Sequence, residues 1–170
     1  MIRRETRRFS AALRGIWLCL YTERHMRFHT AAAILTLSAS VFFDWTPLHY
    51  AALFLTIALV VAAEMFNTAA EHMADRQTAG FSATAGRIKD IAAGAVLVSA
   101  IAAIGVGICL YAQADGLARL IRFLAHPLYG SLAGIGAVVL VLFVTPGPAV
   151  FVRKARRRKT ERIKIRPGKE

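Results

Sequence analysis

Cysteine is nearly missing from this chain. Cys19 and Cys109 both stand among apolar residues, which suits small buried side chains and offers no basis for a disulfide framework or a zinc site. The familiar nucleotide loops are missing as well. The stretch Gly80-Phe-Ser-Ala-Thr-Ala-Gly86-Arg87 has five residues between its glycines and lacks the Gly-Lys-Ser/Thr ending of a Walker A loop, and no protein-kinase signature occurs. Internal repeats are absent, and the basic segment at residues 153 to 170 is the one biased tract. Acid is scarce: ten Asp and Glu stand against 22 Lys and Arg in 170 residues. A carboxylate inside an apolar run is therefore informative.

What is present is hydrocarbon. Hydrophobic residues make up 56% of the chain, and the mean hydropathy of +0.49 conceals sharply separated apolar and basic blocks. This composition belongs to an integral membrane protein. Residues 91 to 113 give 23 consecutive positions without a charge, and residues 48 to 63 continue through a polar segment to make a second span. A third runs from 128 to 152, with Pro146 and Pro148 breaking or kinking its inner end. Residues 28 to 43 are the weakest candidate. They rise only ~24 Å as a helix against a hydrocarbon core of ~30 Å, so snorkelling by Arg24 and Arg27 or local thinning is required.

Lys and Arg accumulate on the cytoplasmic side of membrane proteins. Residues 1 to 29 hold seven of them, residues 75 to 90 hold three and residues 153 to 170 hold ten, whereas the opposite face holds only Arg119 and Arg122. Four spans with both termini cytoplasmic satisfy that count. Ahead of the first span, Phe9, Leu13, Ile16, Trp17 and Leu20 alternate with Arg7, Arg8 and Arg14, the pattern of an amphipathic helix lying at the surface. Its charge and length argue against a cleaved secretion signal. The expected fold is all-α: a surface helix, three core transmembrane helices and a fourth, C-terminal one.

The sharpest feature is the segment EMFNTAAEHMAD at residues 64 to 75. At about 100° per residue, Glu64, Asn67, Thr68, Glu71 and Asp75 share one stripe of a helix. A carboxylate deep in a bilayer costs on the order of 3 kcal/mol, so a row of them requires a partner or a task. Helix rise sets Glu64 about 10 Å deeper than Glu71. Shallow Glu71 suits ligation of a divalent cation, and desolvated Glu64 suits a general base near neutrality. Asn67, between them, can orient an oxygen nucleophile or a phosphate. A seam that merely locks helices together is the bland alternative.

Neighbouring residues complete a nucleotide-sized set. Lys89 can pair with phosphate or snorkel, and Asp90 can cap a helix starting at Ile91. Glu23 reaches the depth of Glu71 from another helix, and two carboxylates make the sparse oxygen set that magnesium completes with phosphates and water. Its alternative is an ion pair with Arg24 or Arg27. His25 and His29 have zinc-compatible spacing, but interfacial histidines ordinarily act as amphipathic anchors.

Glu64-x-x-Asn67-Thr68-Ala69-x-Glu71-x-x-x-Asp75, followed by Lys89-Asp90-x-Ala92-Ala93-Gly94-Ala95-Val96, resembles the small prokaryotic diacylglycerol kinase family. Arg14-Gly15-Ile16-Trp17 and Thr22-Glu23-Arg24-x-x-x-Phe28-His29-x-Ala31-Ala32 resemble its Gram-positive branch, which phosphorylates undecaprenol. The resemblance covers roughly residues 9 to 113. It implies a lipid kinase using ATP and Mg2+, working as a homotrimer with sites between subunits. By likeness, Glu23 and Glu71 hold the metal, Glu64 deprotonates the lipid hydroxyl and Asn67 positions the reacting groups. Lys89 contacts phosphate, Asp90 contributes on the nucleotide side, and Gly86 permits close approach of backbone to nucleotide.

Ala70, Arg87 and Ile88 depart from the family pattern without removing a catalytic group. The larger departure follows Asp115. The expected division is a kinase core at 1 to 115, an additional span at 116 to 152 with Gly130 and Gly134 at helix-packing spacing, and a basic cytoplasmic tail at 153 to 170 on anionic lipid rather than nucleic acid. Undecaprenol is the expected acceptor, diacylglycerol the alternative. A non-catalytic cation-binding membrane subunit is the rival of another class.

Overall fold

The computed structural model describes residues 2–77 and 83–145, and among them every regular element is a helix. In chain order these are α1 (Ile2–Thr22), α2 (Arg24–Ser40), α3 (Pro47–Gln77), α4 (Ala83–Tyr111), α5 (Ala114–Ala125) and α6 (Pro127–Val144). The basic tail, Gly80, Pro146 and Pro148 lie outside the described residues.

Three helices are long and apolar enough to cross a bilayer: Pro47–Arg76, Ala83–Tyr111 and Pro127–Val144. Their outward faces are apolar and unpartnered, with Leu55 72% and Ile91 74% exposed, as lipid-facing surfaces require. Hydroxyls within the bundle are satisfied locally. Thr30, Thr36, Thr56 and Ser99 each donate to a carbonyl three or four residues back, the arrangement that spares a polar group from hydrocarbon. α2 has 17 residues and so rises only about 25 Å.

α3 and α4 pair as an antiparallel hairpin, the main helix-to-helix contact, and α2 packs on α3. Between α2 and that hairpin lies a small apolar cavity of about 120 Å³, lined by residues including Thr36, Thr56 and Gly107. α6 returns to pack against α2. At the end of the bundle remote from the carboxylate stripe, Phe43 and Trp45 pack with Tyr111, whose hydroxyl donates to the Thr36 carbonyl.

Several boundaries differ from those read from sequence. α1 begins at Ile2, well before the apolar pattern that marks it. Residues 114 to 125, between the apolar runs 91 to 113 and 128 to 152, form α5. Its apolar positions Leu117, Leu120, Ile121 and Leu124 repeat at helical spacing, and Arg119 fastens it: Nε donates to the Phe42 carbonyl at 2.7 Å, and Nη2 pairs with Asp44 at 2.8 Å. α4 starts at Ala83 rather than Ile91, because hydropathy marks entry into the membrane and not the first helical turn. Asp90 is therefore an interior helical residue and caps nothing. Gly130 serves the turn into α6, where a Cβ would meet the Leu124 carbonyl oxygen at 2.3 Å, while Gly134 faces open space.

Candidate active site

The α1–α2 elbow and the last turns of α3 build the site together. Glu23 is the single non-helical residue between α1 and α2, with φ −98° and ψ 125°. It stands at the N-cap position of α2 without a side-chain capping bond, and among the described residues it pairs with neither Arg24 nor Arg27. Its carboxylate is left for another partner.

On α3, Glu64 and Thr68 face inward and are 3% and 5% exposed. Thr68 Oγ1 donates to the Glu64 carbonyl at 3.0 Å, a local bond that leaves the Glu64 carboxylate unspent. The Thr68 hydroxyl also meets the Cys19 thiol of α1. One turn on, Asn67 Nδ2 donates to Glu71 Oε1 at 3.0 Å, while Asn67 Oδ1 is buried without a partner. The α1–α2 elbow that carries Glu23 packs on α3, which carries Glu64 and Glu71.

A second group stands at the mouth of the α3–α4 hairpin. Lys89 Nζ donates to Asp75 Oδ1, joining the two helices across the connection. Asp90 is exposed on α4, and around Gly86 a Cβ would meet nothing, so backbone there is open to approach. Between α3 and α4 runs an open apolar groove of about 810 Å³, lined by small residues such as Ala63, Ala92, Gly94 and Ala95, with Asn67 on its wall.

Cysteine and histidine are marginal to the donor set, which is oxygen: two carboxylates and one orphaned amide oxygen. Among the described residues no group of three or more acidic, His or Cys side chains forms a ready metal cage. This sparse set fits a hard cation that brings phosphate and water ligands of its own.

Residues 10–111 match the family model for prokaryotic diacylglycerol kinase. The chain belongs to the prokaryotic diacylglycerol kinase family. Over 103 residues it is 36% identical to an undecaprenol kinase of Bacillus subtilis, a match covering 61% of this chain and 84% of that one. Over another 103-residue match it is 37% identical to a diacylglycerol kinase of Synechocystis sp., covering 60% of this chain and 59% of the relative. It is a membrane-embedded lipid kinase, and a kinase of this family takes ATP as co-substrate. Family membership sets aside the non-catalytic cation-binding subunit. The matched region ends at Tyr111, so α5 and α6 lie beyond it.

Proposed function

We infer that this chain transfers the γ-phosphoryl group of ATP to the hydroxyl of undecaprenol at the cytoplasmic face of a bacterial inner membrane, with Mg2+ as cofactor. The observation that carries the reading is buried Glu64 on one face of α3 with Asn67, which donates to Glu71 and keeps a buried oxygen that lacks a donor. Glu64 takes the proton of the lipid hydroxyl as its oxygen attacks the γ-phosphorus. The bond to the β-phosphate oxygen breaks and ADP leaves. Asn67 positions the reacting groups beside Glu64, and its amide nitrogen holds Glu71 in place. Lys89 exchanges Asp75 for phosphate, Asp90 works on the nucleotide side, and the open backbone at Gly86 lets the nucleotide close.

Glu23 and Glu71 would hold the metal, which supplies charge neutralisation on the phosphates. Phosphoryl transfer requires positioning and electrostatics more than covalent participation, so this set suffices without a P-loop. Undecaprenol is favoured over diacylglycerol because Arg14-Gly15-Ile16-Trp17 and the segment from Thr22 to Ala32 resemble the Gram-positive branch, while the two relatives match over equal lengths at 36% and 37% identity. The groove beside Asn67 offers an apolar bed for a long chain. Both termini cytoplasmic, a homotrimer and a tail on anionic lipid complete the proposal. The charge bias supports the first and last of these, and the family likeness supports the trimer.

The deciding experiment gives purified protein labelled ATP, Mg2+ and either undecaprenol or diacylglycerol. Undecaprenol should be the better acceptor, and Glu64→Gln and Glu71→Ala should each abolish turnover. Equal turnover in wild type and both variants removes the assignment of residues; faster labelling of diacylglycerol reverses the choice of substrate.

A further inference from the structure

Arg27 is a charged side chain only 4% exposed, yet among the described residues it forms no ion pair. Sequence alone offers it as a snorkelling residue or a partner of Glu23. The structure uses it otherwise. Its Nη1 donates to the carbonyls of Leu20 and Tyr21, at 3.4 and 3.2 Å, in the last turn of α1. Carbonyls at a helix C-terminus lack intrahelical donors and carry the negative end of the helix dipole, so a guanidinium there satisfies both requirements.

The consequence falls on Glu23. Its N–H donates to the Cys19 carbonyl at 2.8 Å, and its own carbonyl accepts from the Arg27 N–H at 3.3 Å. Arg27 thus holds the elbow from both sides: its side chain grips the turn before Glu23, and its backbone grips Glu23 itself. Its Nε remains buried with no partner. A buried N–H left unpaired is costly, so an arginine placed only for its own comfort would not sit this way. The two carbonyl bonds, and the elbow angle they set, are what the side chain delivers.

We propose that Arg27 is a positioning residue for the kinase reaction, fixing the α1–α2 elbow so that the Glu23 carboxylate is presented to the metal beside Glu71. The proposal rests on Glu23 being a metal ligand. Removing an outer partner that orients a metal ligand typically costs about 10–100-fold in metal affinity or activity. A residue serving fold stability alone would move melting temperature and leave metal affinity where it was.

The test uses full-length protein in detergent micelles and compares wild type with Arg27→Gln, Arg27→Lys and Glu23→Gln. Three readouts are taken: Mn2+ binding by electron paramagnetic resonance with a non-hydrolysable ATP analogue, amide hydrogen exchange over residues 19 to 27, and kinase rate against Mg2+ concentration. Arg27→Gln should weaken Mn2+ binding about tenfold and speed exchange across the elbow, while kcat at saturating Mg2+ changes far less. Arg27→Lys, which reaches the carbonyls with a point charge and not a fork, should fall between. Wild-type Mn2+ affinity in Arg27→Gln, or in Arg27→Lys should the first variant not fold, overturns the proposal. Unchanged Mn2+ binding by Glu23→Gln is a separate failure: it removes Glu23 as a ligand, and the positioning role with it.

Discussion

Asn67 and Glu71 are joined by one hydrogen bond of 3.0 Å from amide nitrogen to carboxylate, and that bond commits the Asn67 nitrogen to α3's own carboxylate. With Nδ2 committed, Oδ1 is the atom left buried and unpaired. Asn67→Asp is the sharpest probe. It replaces the donor with a second carboxylate beside Glu71, so the like charges repel and Glu71 loses its hold. Kinase kcat/KM should fall by about 10²-fold, comparable to losing one preorganised polar contact in an active site. Retention of wild-type turnover by Asn67→Asp would show that the Asn67–Glu71 bond has no part in catalysis.

Lys89 and Asp75 invite the opposite expectation for stability. Their side chains are 39% and 65% exposed, and pairs of that kind contribute only about 0–1 kcal/mol. Asp75→Asn should therefore leave the thermal transition nearly unchanged. Lys89→Met should raise KM for ATP at least tenfold, since a phosphate loses its one lysine. Asp75→Asn, which frees that lysine, should not weaken ATP binding. A variant of Lys89 with normal KM for ATP would place the lysine in helix pairing alone.

Part of this architecture was legible beforehand. The polar stripe at Glu64, Asn67, Thr68 and Glu71 follows from helical period, and the α3 and α4 spans follow from uncharged length. The elbow was not legible. Nothing in the order Glu23, Arg24, Arg27 shows that the Arg27 guanidinium turns back to carbonyls six and seven residues earlier, leaving Glu23 without an ion pair among the described residues. α5 was hidden because its 12 residues are too short to span and too polar to register as hydrocarbon. The start of α4 was misplaced because Thr84, Gly86, Arg87 and Lys89 are helical but not apolar.

Gly116 tests whether α5 is fastened as described. A Cβ on this residue would lie 2.2 Å from the Phe43 ring, so α5 can approach the α2–α3 connection only because the side chain is absent. Gly116→Val should destabilise the protein by about 1–3 kcal/mol, the usual cost of overpacking. KM for ATP should stay within error, because Phe43 and the nucleotide-facing residues sit at opposite ends of α3. Unfolding in detergent followed by circular dichroism gives the first quantity, and a coupled ADP assay the second. An unchanged transition would mean that α5 is not held against Phe43.

Cys19 offers a reporter of charge at the site. Burial pushes its thiol up from the ordinary value, the Glu23 and Glu64 carboxylates push the same way, and the Thr68 hydrogen bond opposes them. A negative neighbour disfavours thiolate, so removing one lowers the pKa and increases the reactive fraction at any pH below it. On a Cys109→Ser background, Glu23→Gln should speed carbamidomethylation of Cys19 at pH 8.5, read by mass spectrometry. Glu71→Gln should have little effect, because Glu71 is not among the groups acting on this thiol. Mg2+ binding at Glu23 neutralises the same charge, so adding Mg2+ to wild type should act in the direction of Glu23→Gln and do nothing further in that variant. A Mg2+ effect of equal size in both proteins would mean that the cation binds somewhere other than Glu23.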